Sequence, residues 1–122
     1  MLITLYGIPN CDTVKKAKLW LTAQRLEFVF HDFKKQGLQR ATVTQWLTQL
    51  SPDVLVNRKG TTWRKLPKEQ TENADEGSAR ALMLEHPTLI KRPVFDLGKS
   101  GKNDIVIGFK PAEQEKIRAA LS

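Results

Sequence analysis

The sequence predicts an α/β fold: a mixed four-stranded sheet flanked by helices, with a helical insertion between strands 2 and 3. Two observations carry this prediction. The first 32 residues have a strand–helix–strand order, which is nearly always parallel and right-handed. Near the carboxyl end, two short apolar runs separated by a polar turn precede an amphipathic helix. The 122 residues fit a single domain, with residues 1–32 and 88–122 as its core and residues from about 37 to 87 as the insertion.

The first elements follow from the periodicity of the apolar residues. Residues 2–6 are a run of strand formers bounded by a glycine and a proline, which predicts a buried strand. Residues 12–24 repeat apolar positions at helical spacing, and Asn10 or Asp12 is expected to cap this helix. Residues 28–32 predict the second strand. The expected core stripe of the helix is Val14, Ala17, Leu19, Trp20 and Leu21.

The insertion is predicted to be helical, with polar connections. Residues 42–50 and 78–85 have the apolar spacing of helices. Residues 52–64 are polar and contain a glycine, so they predict a loop flanked by short turns. Residues 68–77 are a further polar stretch.

The carboxyl-terminal part is predicted to be a hairpin followed by a helix. Residues 94–97 and 105–109 read as strands, and the polar turn at residues 98–104 makes them an antiparallel pair. Pro111 opens the last helix, over residues 112–121, at a position that proline favours.

The charge is strongly positive and unevenly distributed. The chain has 20 Lys and Arg against 13 Asp and Glu, a formal net charge of +7. All of the excess lies in residues 1–65, whereas the rest of the chain is neutral. No apolar run approaches the roughly 20 residues that span a bilayer, and the first residues lack the features of a signal peptide. We therefore expect a cytoplasmic protein without a membrane segment.

A single cysteine, Cys11, limits the possible chemistry. One cysteine excludes an internal disulfide framework and Cys₄ or Cys₂His₂ zinc sites, and His31 and His86 lack ligand spacing, so we expect no metal. Position 14 is valine, so the chain has no C-x-x-C motif. A redox cycle at Cys11 would need a second thiol from glutathione, a glutaredoxin or a partner protein.

The position of Cys11 favours a reactive thiol. It follows a predicted strand and precedes a predicted helix, where unbonded N–H groups and the macrodipole favour the thiolate. Lys15 can project back over the same turn and strengthen this effect, whereas the carboxylate of Asp12 opposes it. The alternative is a buried and inert cysteine.

Two further segments contain arginines that are candidate functional residues. Arg58 lies in the basic stretch at residues 56–65, where arginine can bind phosphate or carboxylate, or where Trp63 can stack on a nucleic-acid base. Arg92 precedes Pro93 at the start of the third strand, a position that allows a cis peptide bond. The alternative for both segments is a solvated surface charge.

Four blocks of the sequence, residues 5–17, 60–66, 86–94 and 107–113, together resemble the ArsC/Spx family. This family comprises thioredoxin-fold relatives of the glutaredoxin-linked arsenate reductases, and the similarity is greatest to its YffB subgroup. The blocks span nearly the whole chain in the family's order, so the resemblance implies a thioredoxin-like fold.

The resemblance also implies roles for individual residues. Cys11 matches the nucleophilic cysteine, Arg58 and Arg92 match two oxyanion-binding arginines, and Pro93 matches the cis-proline beside the active site. Lys110 stands where arsenate reductases have a third arginine, which keeps the charge but loses the bidentate fork. Gly7 replaces a histidine that is thought to activate the cysteine of arsenate reductases.

The function expected from the residues and the resemblance together is thiol-dependent reduction. Glutathione or a glutaredoxin would supply the thiol, Cys11 would form a mixed disulfide, and Arg58, Arg92, Lys110 and Lys15 would bind a small anionic or disulfide substrate. Glutathione would be a co-substrate, with no bound cofactor. The alternatives are an Spx-like module that binds RNA polymerase without turnover, a true arsenate reductase, and a basic nucleic-acid binder.

Overall fold

The structure is a computed structural model that describes residues 3–71, 75–98 and 105–121. It divides into two compact units, one formed by residues 1–36 and 92–122 and the other by residues 37–91. The helices, in chain order, are α1 (Asp12–Ala23), α2 (Phe33–Gln36), α3 (Arg40–Gln49), α4 (Pro52–Leu55), α5 (Thr61–Lys65), α6 (Lys68–Thr71), α7 (Glu76–Glu85) and α8 (Pro111–Leu121). No helix in the described ranges is long and apolar enough to cross a membrane.

The first unit contains a four-stranded sheet in the order β2-β1-β3-β4. Its strands are β1 (Ile3–Gly7), β2 (Phe28–Asp32), β3 (Val94–Asp96) and β4 (Ile105–Ile107). Strand β1 runs parallel to β2 and antiparallel to β3, which is antiparallel to β4. The predicted mixed sheet with a helical insertion between strands 2 and 3 is therefore confirmed. The predicted turn at 98–104 lies, from residue 99 onward, outside the described residues.

Helices α1 and α8 share one hydrophobic core with the sheet. Leu19, which we expected on the core stripe, is 72% exposed, because the buried stripe follows the spacing of residues 14, 17 and 21. Trp20 is half-buried and packs against the edge of the core. The buried residues of this core are Ile3, Leu5, Val14, Ala17, Leu21, Phe95, Leu97, Val106 and Ile117.

The second unit is more helical than predicted. Helices α3 and α7 confirm the two predicted helices. The prediction of a loop over residues 52–64 is wrong, because α4 lies wholly within that range and α5 begins within it. Segment 55–57 is fixed there by a bridge between Val56 and Ile90 and by a hydrogen bond from the N–H of Asn57 to the carbonyl of Leu89, 2.7 Å long. These contacts with a distant segment order a stretch that looks irregular in sequence.

Candidate active site

The loops that carry most of the candidate site residues lie at one end of the sheet in the first unit. Gly7 pairs with Asp32, so the parallel strands β1 and β2 end together. Tyr6 pairs with Val94, which in turn pairs with Ile107, so β3 begins and β4 ends at the same place. The loops at this end of the sheet carry four of the residues identified from the sequence, namely Cys11, Arg92, Pro93 and Lys110.

Cys11 occupies the N-cap position of α1. The sequence predicts Asn10 or Asp12 at that position. Its backbone is extended, with φ −90° and ψ 121°, and its side chain makes no capping hydrogen bond. The thiol is free and partly exposed, and it packs against the edge of the hydrophobic core. Because the first N–H groups of a helix have no partner within it, they are available to a negative charge at this point.

Gly7 and Val14 lie in close contact on either side of the turn that contains Cys11. A Cβ atom built on Gly7 would lie 2.7 Å from Cγ2 of Val14, closer than real side chains approach. Val14 itself is completely buried. The end of β1 therefore lies directly against α1, and the position three residues after the cysteine holds a core side chain.

Pro93 joins two of the loops at this end of the sheet. The Arg92–Pro93 peptide bond is cis, the isomer that the resemblance implies. Pro93 is buried, and its carbonyl accepts a hydrogen bond of 2.9 Å from the N–H of Gly108. Arg92 is partly exposed beside it. The loop before β3 and the loop after β4 are thus held together by backbone.

Lys110 is exposed immediately before α8, in a capped turn. Its N–H donates to Oε1 of Glu113 at 3.0 Å, while its carbonyl accepts from the N–H of Glu113 at 3.0 Å. Gly108 adopts a positive φ of 97°, and a side chain there would also crowd the Glu113 carboxylate. We did not predict this role of Glu113, although a glutamate three residues after a helix cap is a recognisable signal.

Arg58 lies in the second unit, unlike the other candidate residues. Its Nη2 atom is 2.5 Å from Oδ1 of Asp53, and its guanidinium carbon is 5.4 Å from the centre of the Trp63 ring. Sequence reasoning missed Asp53, because a separation of five residues matches no regular pairing rule. Lys15 is exposed in the first unit, near the start of α1.

A partly buried aromatic cluster lies at the same end of the sheet. The Tyr6 ring lies 4.9 Å from His31 and 6.2 Å from Phe33, measured between ring centres. Burial raises the pKa of Tyr6, and the carboxylate of Asp96 raises it further. The phenol is therefore neutral at physiological pH. Among the described residues, no group of His, Cys, Asp and Glu could hold a metal ion.

The sheet, its two packed helices and the cysteine at a helix start define a thioredoxin-like protein with a single-cysteine site. The ArsC family profile matches residues 6–117. The chain therefore belongs to the ArsC family.

Three relatives illustrate the range of this family. The solved structure of the YFFB protein is 41% identical, covers 98% of this chain and 99% of its own, and superposes with a TM-score of 0.87. The solution structure of an arsenate reductase (ArsC) related protein from Brucella melitensis is 46% identical, covers 94% of this chain and 92% of its own, and has a TM-score of 0.74. The global transcriptional regulator Spx of Streptococcus pneumoniae is 28% identical over 122 residues, with 98% of this chain and 86% of the regulator covered.

Proposed function

We propose that this protein is a glutathione- or glutaredoxin-dependent thiol reductase that works through the single nucleophile Cys11. The observation that carries the proposal is the placement of a free, partly exposed thiol at the start of a helix of 12 residues. The thiolate is the reactive form of cysteine, and the unpaired N–H groups in the first turn of a helix can donate hydrogen bonds to it. This chemistry requires a reducing compartment, so we assign the protein to the cytoplasm.

The reaction consists of two thiol–disulfide exchanges. In the first, the Cys11 thiolate attacks the glutathionyl sulfur of a mixed disulfide; the substrate sulfur leaves as a thiolate and takes up a proton. In the second, the thiolate of a second glutathione, or of a glutaredoxin, attacks the Cys11–glutathione disulfide and releases the Cys11 thiolate. Each turnover consumes one outside thiol: its sulfur is oxidised into the released disulfide, and the substrate sulfur is reduced to a thiol. The outside thiol is essential because the chain has one cysteine.

The cations of the site hold the anionic groups of the substrate. In the first unit, we assign anionic groups of the glutathionylated substrate to Arg92, Lys110 and Lys15. Arg58 provides a further anion-binding position in the second unit. A hydrogen bond to a charged group contributes about 1.5–3 kcal/mol, so losing one arginine weakens binding by roughly ten- to a hundred-fold. Pro93 fixes the backbone beside Arg92.

Turnover with glutathione tests this proposal. Wild type and Cys11→Ser are compared on a glutathionylated peptide, a neutral disulfide and arsenate, with formation of oxidised glutathione as the readout. We expect Cys11→Ser to abolish turnover. We expect Arg92→Gln to lower kcat/KM on the glutathionylated peptide more than on the neutral disulfide, while Arg92→Lys retains part of the activity. Full activity of Cys11→Ser would refute the proposal.

The similarity to Spx along the whole chain favours one other candidate function. As an Spx-like module, the protein would bind RNA polymerase and catalyse no turnover. A chain that forms no adduct with oxidised glutathione, yet binds purified RNA polymerase, would support this second function. Turnover on arsenate alone would identify a true arsenate reductase.

A further inference from the structure

The guanidinium of Arg58 is held by two partners from different short helices. Its Nη2 lies 2.5 Å from Oδ1 of Asp53, which belongs to the first turn of α4. Its Cζ lies 5.4 Å from the ring centre of Trp63 in α5, within the range of a cation–π interaction. A guanidinium that is both ion-paired and stacked retains little rotamer freedom, so it is already ordered before a ligand arrives.

The backbone around this pair is anchored. The N–H of Asn57 donates to the carbonyl of Leu89 at 2.7 Å, and the N–H of Lys91 donates to the carbonyl of Leu55 at 2.8 Å. Asn57 also accepts, through Oδ1, a hydrogen bond of 3.2 Å from the N–H of Lys59, which closes the next turn. Asp53 and Arg58 therefore lie on either side of segment 55–57, whose two ends are hydrogen-bonded to residues 89–91. This anchoring holds the backbone of both partners of the ion pair.

The pair is nevertheless open to solvent and easy to exchange. The side chains of Arg58 and Asp53 are 51% and 73% exposed. An exposed ion pair contributes little free energy, so breaking it costs a factor of about two to five in an equilibrium constant. The exposed cations Lys59, Arg64 and Lys65 follow in the same stretch and attract anions to it.

We propose that Asp53 is a specificity-determining residue. It forms an ion pair with Arg58 in the free protein, and a ligand carboxylate displaces it from that pair. The inference rests on the proposed function for the identity of that ligand, a glutathione-like peptide. Trp63 remains stacked on Arg58 and keeps the guanidinium in place during the exchange. The Asp53 carboxylate thus competes with the ligand for the Arg58 guanidinium. Only ligands whose carboxylate binds Arg58 more tightly than the Asp53 carboxylate does are selected.

Binding of S-methylglutathione tests this inference without any reaction at Cys11, because this ligand has no free thiol. Its dissociation constant is measured by following the indole N–H signal of Trp63 in ¹H–¹⁵N spectra. We expect Asp53→Asn to bind about two to five times more tightly than wild type. We expect Arg58→Gln to lose the Trp63 response, and the dimethyl ester of the ligand to give none.

A matched control separates competition from net charge. Glu69→Gln removes the same charge from an exposed position in α6 and is expected to bind like wild type. Unchanged or weaker binding by Asp53→Asn, or equal tightening by Glu69→Gln, would overturn the inference. If the expected titrations appear but glutathione turnover is absent, the carboxylate exchange stands and only the reductase proposal fails. If turnover is present but Asp53→Asn does not bind more tightly, only this inference fails.

Discussion

Replacing Gly7 with alanine would place a methyl group in space that Val14 already fills. The new Cβ would lie 2.7 Å from Cγ2 of Val14, whereas unstrained carbon contacts lie at about 3.5–4.0 Å. One of the two elements must therefore move by roughly 1 Å. Overpacking of this kind costs about 1–3 kcal/mol, and the lower entropy of the unfolded alanine chain offsets about 0.4–1 kcal/mol of it. We expect a net loss of up to about 2.6 kcal/mol.

A double-mutant cycle measured by urea unfolding tests this reasoning. Val14→Ala removes two buried carbons and should cost roughly 2 kcal/mol. In Gly7→Ala/Val14→Ala the new methyl enters the vacated space, so the double variant should be no less stable than Val14→Ala alone. Gly77→Ala is the matched control, because the nearest atom to its Cβ lies at 3.6 Å and alanine favours the helix. Additive losses in the double variant would refute the close contact of β1 and α1.

Three further predictions concern titration and capping. Tyr6 is the only tyrosine of the chain, so the pH titration of phenol absorbance reports on it alone. Its native midpoint should lie above the value of about 10 of the unfolded chain, and Asp96→Asn should lower the native midpoint. Equal native and unfolded midpoints would contradict this. The N–H of Ser78 holds the pKa of Asp75 below its usual value, so this carboxylate stabilises the fold above its unfolded pKa and the stabilisation is lost as pH falls through the lower native pKa. Urea midpoints should therefore fall more steeply with acid in wild type than in Asp75→Asn, and parallel profiles would argue against it. Glu113→Ala should cost about 1 kcal/mol in urea unfolding, because the Lys110 N–H loses its acceptor, whereas Glu113→Gln should retain most of the stability; equal losses in both variants would exclude the capping role.

The elements that the sequence predicts best are those with local signals. Strand β2 covers the predicted residues 28–32, because strand formers and the preceding helix define it. The short helices α4 and α5 have 4 and 5 residues, too few to show a helical period. Leu55 at the end of α4 is held by the N–H of Lys91, and Thr62 in α5 by a hydroxyl hydrogen bond with Thr88. No local sequence pattern contains these distant partners.

In the candidate site, too, features with a local sequence signal could be predicted, and features without one could not. The position of Cys11 at a helix start could be predicted, because strand, turn and helix follow one another directly. The N-cap residue itself could not, since Asn10 and Asp12 have better capping side chains than cysteine. Cys11 occupies that position without a side-chain capping hydrogen bond. The partner of Arg58 also escaped prediction, because Asp53 reaches it through the anchored geometry of segment 55–57.

The mass of the intact protein after mild treatment with oxidised glutathione tests whether Cys11 is a nucleophile that forms a mixed disulfide. We expect one added glutathionyl group in wild type and none in Cys11→Ser. Reduced glutathione should remove the group and regenerate the free thiol. A wild-type chain that stays unmodified, with Cys11 accessible to a small alkylating agent, would contradict the nucleophilic role of Cys11.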